Sequence, residues 1–279
     1  MKAATKFFMF AFALFFVGVS IAQDSLSLYA SSSGSAAITE HKGSASLLVV
    51  AGENDAGEAT SGSCVIAASL TAVKGGFKGE FIPVNTALTS YGNDQAEGKR
   101  LQIENSNNSI TINDADYIGI CALDSSLINR YEQVTPADRR HKHVFAEMID
   151  LAHADALYLF KKGQKEEAIM ELSPFVENYQ KAWLSDKELG DAVISAINDY
   201  GYFLQENNKY LESIPFLNDV VVAQPKRAAA WLNLADSNWA IGEKSDAVKQ
   251  YAEYKRLMIA KNKKSKIPPR VFERVSTSI

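Results

Sequence analysis

The hydrophobic pattern changes its period near residue 135, and this change limits the folds open to the chain. Between Gln23 and about Gln133, apolar and polar residues alternate in short runs separated by Gly, Asn, Asp and Ser, which is typical of strands and tight turns. From Val144 onward, apolar residues recur every three or four positions, as they do on the buried side of an amphipathic helix. We therefore predict a two-domain α+β protein, with a β-domain at 23–135 and an all-α domain at 136–279.

The N-terminal half predicts a small antiparallel β-barrel or sandwich. Its runs are short and closely spaced, and no helical pattern separates them, which is typical of these two architectures. The predicted strands and hairpin are ASLLVVA (45–51), CVIAASLTAV (64–73), GFKGEFIPV (76–84), RLQIENSNNSITIN (100–113) and YIGICAL (117–123).

The first residues carry the pattern of a secretory signal peptide. Lys2 and Lys6 precede an apolar run from Phe7 to Val19, and small residues lead to a candidate cleavage point before Gln23. We predict a signal peptide at 1–22 and a periplasmic or secreted protein, with an uncleaved anchor as the alternative. No later apolar run is long enough to cross a bilayer, so no transmembrane segment is expected after cleavage.

The two cysteines, Cys64 and Cys121, predict one disulfide in the β-domain. Export would place them in an oxidising compartment, where such pairs form and persist. A catalytic cysteine is the alternative. A zinc site is not expected, because the two cysteines are isolated and have no neighbouring histidine.

The helical half contains a repeat. A large residue, a small one four positions later, a turn and a second small residue recur three times. The spacing from Ser213 to Ala247 is 34 residues. These features resemble the tetratricopeptide repeat (TPR) family over roughly 149–260. The resemblance implies three stacked helical pairs followed by a C-terminal cap. Ala168 to Ser213 is 45 residues, so we expect extra chain around 178–191.

The TPR resemblance also implies a partner-binding groove along the inner side of the first helix of each pair. The matching residues are Asp150, His153, Leu157, Asn198, Tyr202, Gln205, Asp236 and Trp239. Trp239 is a candidate interface anchor, and packing beneath the C-terminal cap is its alternative role. The groove lacks the set of Lys and Arg residues that would capture a terminal carboxylate.

The β-domain resembles small-barrel bacterial lysozyme inhibitors in one respect. Those families insert a loop containing Ser-Gly into the enzyme cleft, and TSGSC (60–64) supplies Ser61 and Gly62. The tyrosine that should follow is absent. This resemblance implies the alternative function, an inhibitor or immunity protein that blocks a lysozyme or another peptidoglycan hydrolase.

Motifs for chemistry are scarce. The chain has no Gly-rich phosphate loop, no HExxH and no G-x-S-x-G, so we predict no metal, no cofactor and no enzyme of those classes. Asp114 and Asp116 remain a candidate carboxylate site, with turn chemistry as the alternative. A net charge of −4 argues against general nucleic-acid binding.

The leading prediction is an exported, non-catalytic scaffold or adaptor that binds a protein or peptide through the TPR groove. An array this short can complete itself against a second copy, so a homodimer stays open. The basic run Lys261, Lys263, Lys264, Lys266 and Arg270 predicts a solvated linker, with contact to an anionic lipid as the alternative.

Overall fold

The computed structural model describes residues 25–41, 43–52, 63–119, 121 and 127–276. The predicted signal peptide therefore lies outside the described residues. The strands are β1 Ser25–Ala30, β2 Gly34–His41, β3 Ser44–Ala51, β4 Cys64–Val73, β5 Gly76–Ile82, β6 Val84–Asn85, β7 Ser90–Tyr91, β8 Arg100–Ser106, β9 Ser109–Ala115 and β10 Asn129–Gln133. The helices are α1 Asn93–Ala96, α2 His141–Lys161, α3 Lys165–Val176, α4 Gly190–Glu206, α5 Tyr210–Ala223, α6 Ala228–Ala240, α7 Lys244–Ala260 and α8 Pro269–Ser276.

Eight of the strands close into an antiparallel barrel. The order is β1-β10-β9-β8-β5-β4-β3-β2, and β1 pairs with both β2 and β10, so the sheet has no free edge. β6 and β7 form a separate two-stranded ribbon. The barrel interior is filled by β-branched and aromatic side chains such as Val49, Ile66, Ile112 and Tyr131, each at most 1% exposed. The prediction of a small antiparallel β-domain is confirmed as a barrel.

Glycine is required where β5 lies against β8. A Cβ at Gly76 would lie 1.9 Å from the carbonyl oxygen of Ile103, so any side chain there would push the two strands apart. The register keeps Phe77 opposite Ile103 and Gly79 opposite Leu101. A Cβ at Gly79 would meet the Leu101 side chain at 2.8 Å, so this glycine leaves room for that leucine.

The disulfide joins Cys64 to Cys121, with their Cα atoms 5.3 Å apart. The bond links β4 to the segment that follows β9. The prediction that 117–123 forms a strand is wrong for the residues described there, because 117–119 and Cys121 are irregular. β9 pairs with β8 on one side and with β10 on the other, where Tyr131 lies opposite Ile110.

The helices form three antiparallel pairs, α2/α3, α4/α5 and α6/α7. The turns within the pairs contain Gly163, Asn208 and Gly242, with φ of 84°, 62° and 94°. A left-handed backbone favours glycine and tolerates asparagine, so the predicted turn residues are confirmed. The second helix of each pair presents a fully buried small residue to its partner, and these residues are Ala168, Ser213 and Ala247.

The extra chain between the first and second pairs contains a 3-10 turn at Lys181–Ser185. Trp183 packs edge-on against Phe145 of α2, with ring centroids 4.7 Å apart. Tyr179 donates a hydrogen bond to Asp219 of α5. The extra chain thus ties α2 to the second pair.

The first long helix starts later than the sequence suggested. In the sequence, Thr135 and Asp138 are both residue types that commonly begin a helix, but α2 begins at His141. The Oδ1 atom of Asp138 instead accepts a hydrogen bond from the Arg140 backbone N–H at 2.9 Å. The His141 side chain is buried between Phe145 and Trp183, so the first residue of α2 already packs into the core.

The barrel packs directly on the first helical pair. β1 and β2 contact α2 and α3, and β6 contacts α2. One apolar core runs without a break from the barrel interior through the first two pairs. A second, smaller core joins the third pair to α8. In the part of the chain that the structure describes, no helix is both long and apolar enough to cross a bilayer.

Candidate functional site

The first helices of the three pairs form one side of the array. α2 contacts α4, and α4 contacts α6, whereas no comparable contact joins α3 to α5 or α5 to α7 within the described residues. Stacked repeats curve toward the side on which neighbours approach most closely. We call the surface formed by the inner sides of α2, α4 and α6 the concave face.

His153 and Asp199 connect the first two helices of the concave face. The His153 Nε2 atom lies 2.9 Å from the Asp199 Oδ2 atom, and the Asn198 side-chain amide donates to Asp199 Oδ1 at 2.8 Å. Burial raises the pKa of Asp199, but the hydrogen bonds from His153 and Asn198 outweigh it and leave the pKa below its usual value. The carboxylate is therefore ionised at neutral pH and fixes the position of His153.

Two amide oxygens on α4 are incompletely paired. Asn198 Oδ1 and Gln205 Oε1 are enclosed and have no hydrogen-bond partner among the described residues. An unpaired acceptor in such a place costs about 1–3 kcal/mol, so each of the two groups gains free energy from any donor brought within reach.

Aromatic rings lie beside these amides. Tyr202 of α4 packs against Phe160 of α2 with ring centroids 5.4 Å apart, and Phe160 stacks on Phe203. Tyr202 and Leu157 are partly exposed, and Asp150 at the edge is exposed. Burial raises the pKa of Asp150 above its ordinary value, and the charge of His153 opposes this shift.

The third pair presents a different surface, because α8 lies over it. Asp236 of α6 accepts hydrogen bonds from Arg270 at 2.6 and 3.0 Å, from Arg274 at 3.0 Å and from the Tyr251 hydroxyl at 2.5 Å. The Arg274 guanidinium lies 4.7 Å from the centroid of the Trp239 ring, and the Lys244 ammonium lies 4.0 Å from it. Trp239 therefore packs beneath the C-terminal cap, which was its alternative role.

The structure thus divides the predicted groove into two parts. Asp150, His153 and Leu157 on α2 face the side of α4 that carries Asn198, Tyr202 and Gln205, whereas Asp236 and Trp239 on α6 are engaged by α8. That these residues bind a partner stays a prediction.

Sequence reasoning missed the charged partners of the groove. Asp199 sits beside a predicted groove residue, but its bond to His153 depends on how α2 and α4 pack. Arg270 was assigned to a solvated basic linker, and this assignment is wrong because its guanidinium binds Asp236. A signal was present, since Arg270 and Arg274 are one helical turn apart after a proline and so lie on one side of a short helix.

The candidate residues of the β-domain do not form a site in the described part of the chain. Ser61 and Gly62 lie outside the described residues, so the inhibitor alternative stays a prediction. Asp116 Oδ2 accepts the backbone N–H of Arg100 at 2.8 Å, and Asp114 is exposed on β9. Asp116 thus satisfies a backbone group, as the turn-chemistry alternative predicted.

No family model and no curated protein matches the chain. Several TPR domains are among the solved structures that are similar to about half of the chain. They include the C-terminal TPR-containing domain of a putative FK506-binding protein from Plasmodium falciparum (14% identity, TM-score 0.40, covering 49% of this chain and 89% of that one). The TPR domain of Arabidopsis OM64 is 12% identical, with a TM-score of 0.39 over 48% of this chain and 99% of that one.

The TPR2B domain of yeast Sti1, solved as a complex with pHsp70, is also 12% identical, with a TM-score of 0.38 over 48% of this chain and 98% of that one. These similarities concern the fold of the helical half alone. The description of that half as TPR-like rests on its own helix pairs, turns and 34-residue spacing.

Proposed function

We propose that this protein is an exported, non-catalytic adaptor that binds a protein or peptide segment on the concave face. The partner binds the part of the concave face that α2 and α4 form, and one observation carries the proposal. The inner side of the third pair is occupied by α8 through Asp236 and Trp239, whereas Leu157 and Tyr202 on the first two pairs keep accessible surface. The surface available to a partner is therefore that of α2 and α4.

The chemistry of this surface suits an extended peptide. The rings of Phe160 and Tyr202 offer a small apolar platform for a side chain. The unpaired oxygens of Asn198 and Gln205 are acceptors on the same helix, and a peptide backbone supplies N–H donors at regular intervals.

Export is part of the proposal. The apolar leader at 1–22 has the pattern of a secretory signal, and the disulfide between Cys64 and Cys121 suits an oxidising compartment such as the periplasm or the cell exterior. In this account the barrel covers the outer side of the first pair and holds the array in place, while the partner binds on the other side of α2.

A selection from a random linear-peptide library tests the proposal. We expect the intact protein to enrich a peptide consensus, and we expect Tyr202→Ala and Gln205→Ala each to weaken binding of that peptide by about tenfold, close to 1.4 kcal/mol. Val222→Ala is the matched control, because Val222 is 80% exposed on α5, outside the concave face. A consensus that is insensitive to Tyr202 and Gln205 but lost with Val222, or no consensus at all, would contradict the proposal.

A further inference from the structure

A cavity of about 650 Å³ lies between the barrel and the first helical pair. Its barrel side consists of hydroxyl-bearing residues of β2, β3 and β4 together with Ile82–Val84 and Tyr91, and its helical side comes from α2, α3 and the turn between them. The cavity lies on the side of α2 that faces the barrel, so it is separate from the concave face. Its volume is in the range that holds a small organic ligand.

Apolar groups form much of the cavity wall. Ile82, Pro83 and Val84 line it from the barrel side, and Tyr158, Leu159 and Met170 line it from the helical side. Tyr158 is 37% and Met170 is 47% exposed, which places these two residues where the cavity opens to solvent. A ligand with an apolar body would remove this surface from water.

The charges on the wall are unbalanced. Asp155, Glu167 and Glu171 line the cavity with one lysine, Lys162. The Lys162 ammonium lies 5.4 Å from the centroid of the Tyr158 ring, and no hydrogen bond or ion pair joins it to these carboxylates among the described residues.

Of the two acids Asp155 and Glu171 on the cavity wall, Glu171 has the fewer polar contacts. It lies deep between the two domains with part of its surface open to the cavity, and none of the described residues gives it a hydrogen bond or an ion pair. Asp155 is only 5% exposed and accepts one hydrogen bond, from the Asn85 backbone N–H at 2.6 Å. Asp155 and Glu171 thus line the same cavity, and in the described part of the chain no cationic side chain forms an ion pair with either carboxylate.

We propose that this cavity binds a small organic cation, a molecule with an apolar body and a protonated amine, whose ammonium group lies between Asp155 and Glu171. An enclosed carboxylate is unfavourable unless it is paired, and an ammonium supplies the pairing for both acids. The hydroxyl-bearing residues Thr39, Ser46 and Ser69 line the barrel side of the same cavity, and the apolar body of the ligand covers Leu159 and Met170. This site is independent of the peptide-binding proposal.

The ionisation of the two acids predicts how binding depends on pH. Burial raises the pKa of Glu171 to about 8, with a further contribution from the charge of Asp155. Burial also raises the pKa of Asp155 to about 6, opposed by the Asn85 N–H. The other titratable groups on the wall are Glu167, Lys162, Tyr158 and Tyr91, and burial raises the pKa of Tyr91 to about 12. A cation binds the ionised acids, so its affinity rises from about pH 5 to about pH 8.

A matched pair of fluorescent probes tests the proposal. Dansylcadaverine carries a primary amine on an apolar dye, and its N-acetyl derivative has the same dye without the charge. We expect the full chain to bind the amine with increased dye fluorescence at about pH 8, and to bind the acetylated probe at least about tenfold more weakly. We also expect the amine, and not the acetylated probe, to lose about tenfold in affinity at about pH 5.

Three variants assign the binding to the cavity. Glu171→Gln is expected to weaken the amine by about tenfold or more while leaving the acetylated probe unchanged. Met170→Lys places a second cation at the opening and should weaken the amine similarly, and its exposed position makes loss of the fold a poor explanation. Glu212→Gln, an exposed acid on α5, is the control and should change nothing. Equal binding of the two probes, absence of binding by the amine, or wild-type affinity in Glu171→Gln would overturn the proposal.

Discussion

The two ends of the helical array are covered in different ways. At the first pair, the barrel packs on α2 and α3, and the apolar core continues from one domain into the other. At the third pair, α8 adds a smaller apolar cluster around Val271 and an ionic cluster in which Arg270 and Arg274 bind Asp236. The α2–α4 part of the concave face lies between these two covers.

This difference indicates how stable each contact is, that of the barrel with the first pair and that of α8 with the third pair. Burial of apolar surface contributes roughly 25 cal/mol per Å², so the extensive barrel contact is hard to open. Ion pairs that are removed from water gain little net free energy, because desolvation offsets their attraction. We therefore expect the barrel to stay on the array under all conditions that keep the protein folded, and we expect α8 to detach first.

The largest effect is predicted at the barrel end. Phe145 is 1% exposed and packs against Phe175 and Trp183, so Phe145→Ala should lower the free energy of unfolding by about 4 kcal/mol. Phe272→Ala at the α8 end is the matched change, and because Phe272 is only partly buried its cost should be about 1 kcal/mol. Urea denaturation measures both values. Equal losses for the two variants would break the comparison.

An intermediate effect is predicted for the ionic cluster. Asp236→Asn leaves two guanidinium groups near a neutral amide, and we expect a loss of about 2 kcal/mol in the free energy of unfolding. Amide hydrogen exchange should become faster in α8 and stay unchanged in the barrel and α2. A double-mutant cycle with Arg270→Gln should show coupling of about 1 kcal/mol. If exchange accelerated equally in the barrel, α8 would not be an independently opening unit.

The third effect depends on pH and concerns Glu171 in the cavity beside the barrel. Here the substitution is expected to raise the free energy of unfolding. The pKa of Glu171 is raised in the folded protein, so the folded state binds more protons than the unfolded state between about pH 4.5 and about pH 8. Stability is therefore lost as the pH rises through this window. Glu171→Gln should be close to the wild type in its free energy of unfolding at about pH 5 and should exceed it at about pH 8. Urea midpoints at the two pH values measure this, and a variant less stable at both would contradict it.

Local sequence signals predicted the parts of the fold that depend on local structure. The turns at Gly163, Asn208 and Gly242 need a left-handed backbone, which these residue types favour. The 34-residue spacing from Ser213 to Ala247 indicates the length of one helical pair. The disulfide was likewise predicted from the number of cysteines together with the expectation of export. In each case the physical requirement lies within one turn, one repeat or one residue type.

Contacts between distant segments could not be predicted in this way. The sequence of 117–123 is apolar enough to predict a strand, but β10 is the strand that lies beside β9 in the barrel. The residues of β10 are mostly polar, so the sequence contains little indication of a strand there. Arg270 is separated from Asp236 by 34 residues, and the bond between them depends on how α8 folds back. Asp155 on α2 and Glu171 on α3 come together because the two helices pack as a pair, and the cavity that they line exists because the barrel packs on that pair.

Hydrogen–deuterium exchange of the intact protein, with and without a peptide taken from the selection, tests the central claim most directly. We predict slower exchange in α2 and α4 when the peptide binds, with α5, α8 and the barrel unchanged. Protection confined to α6–α8 or to the barrel strands would contradict the assignment of the concave face between the two covers as the binding surface.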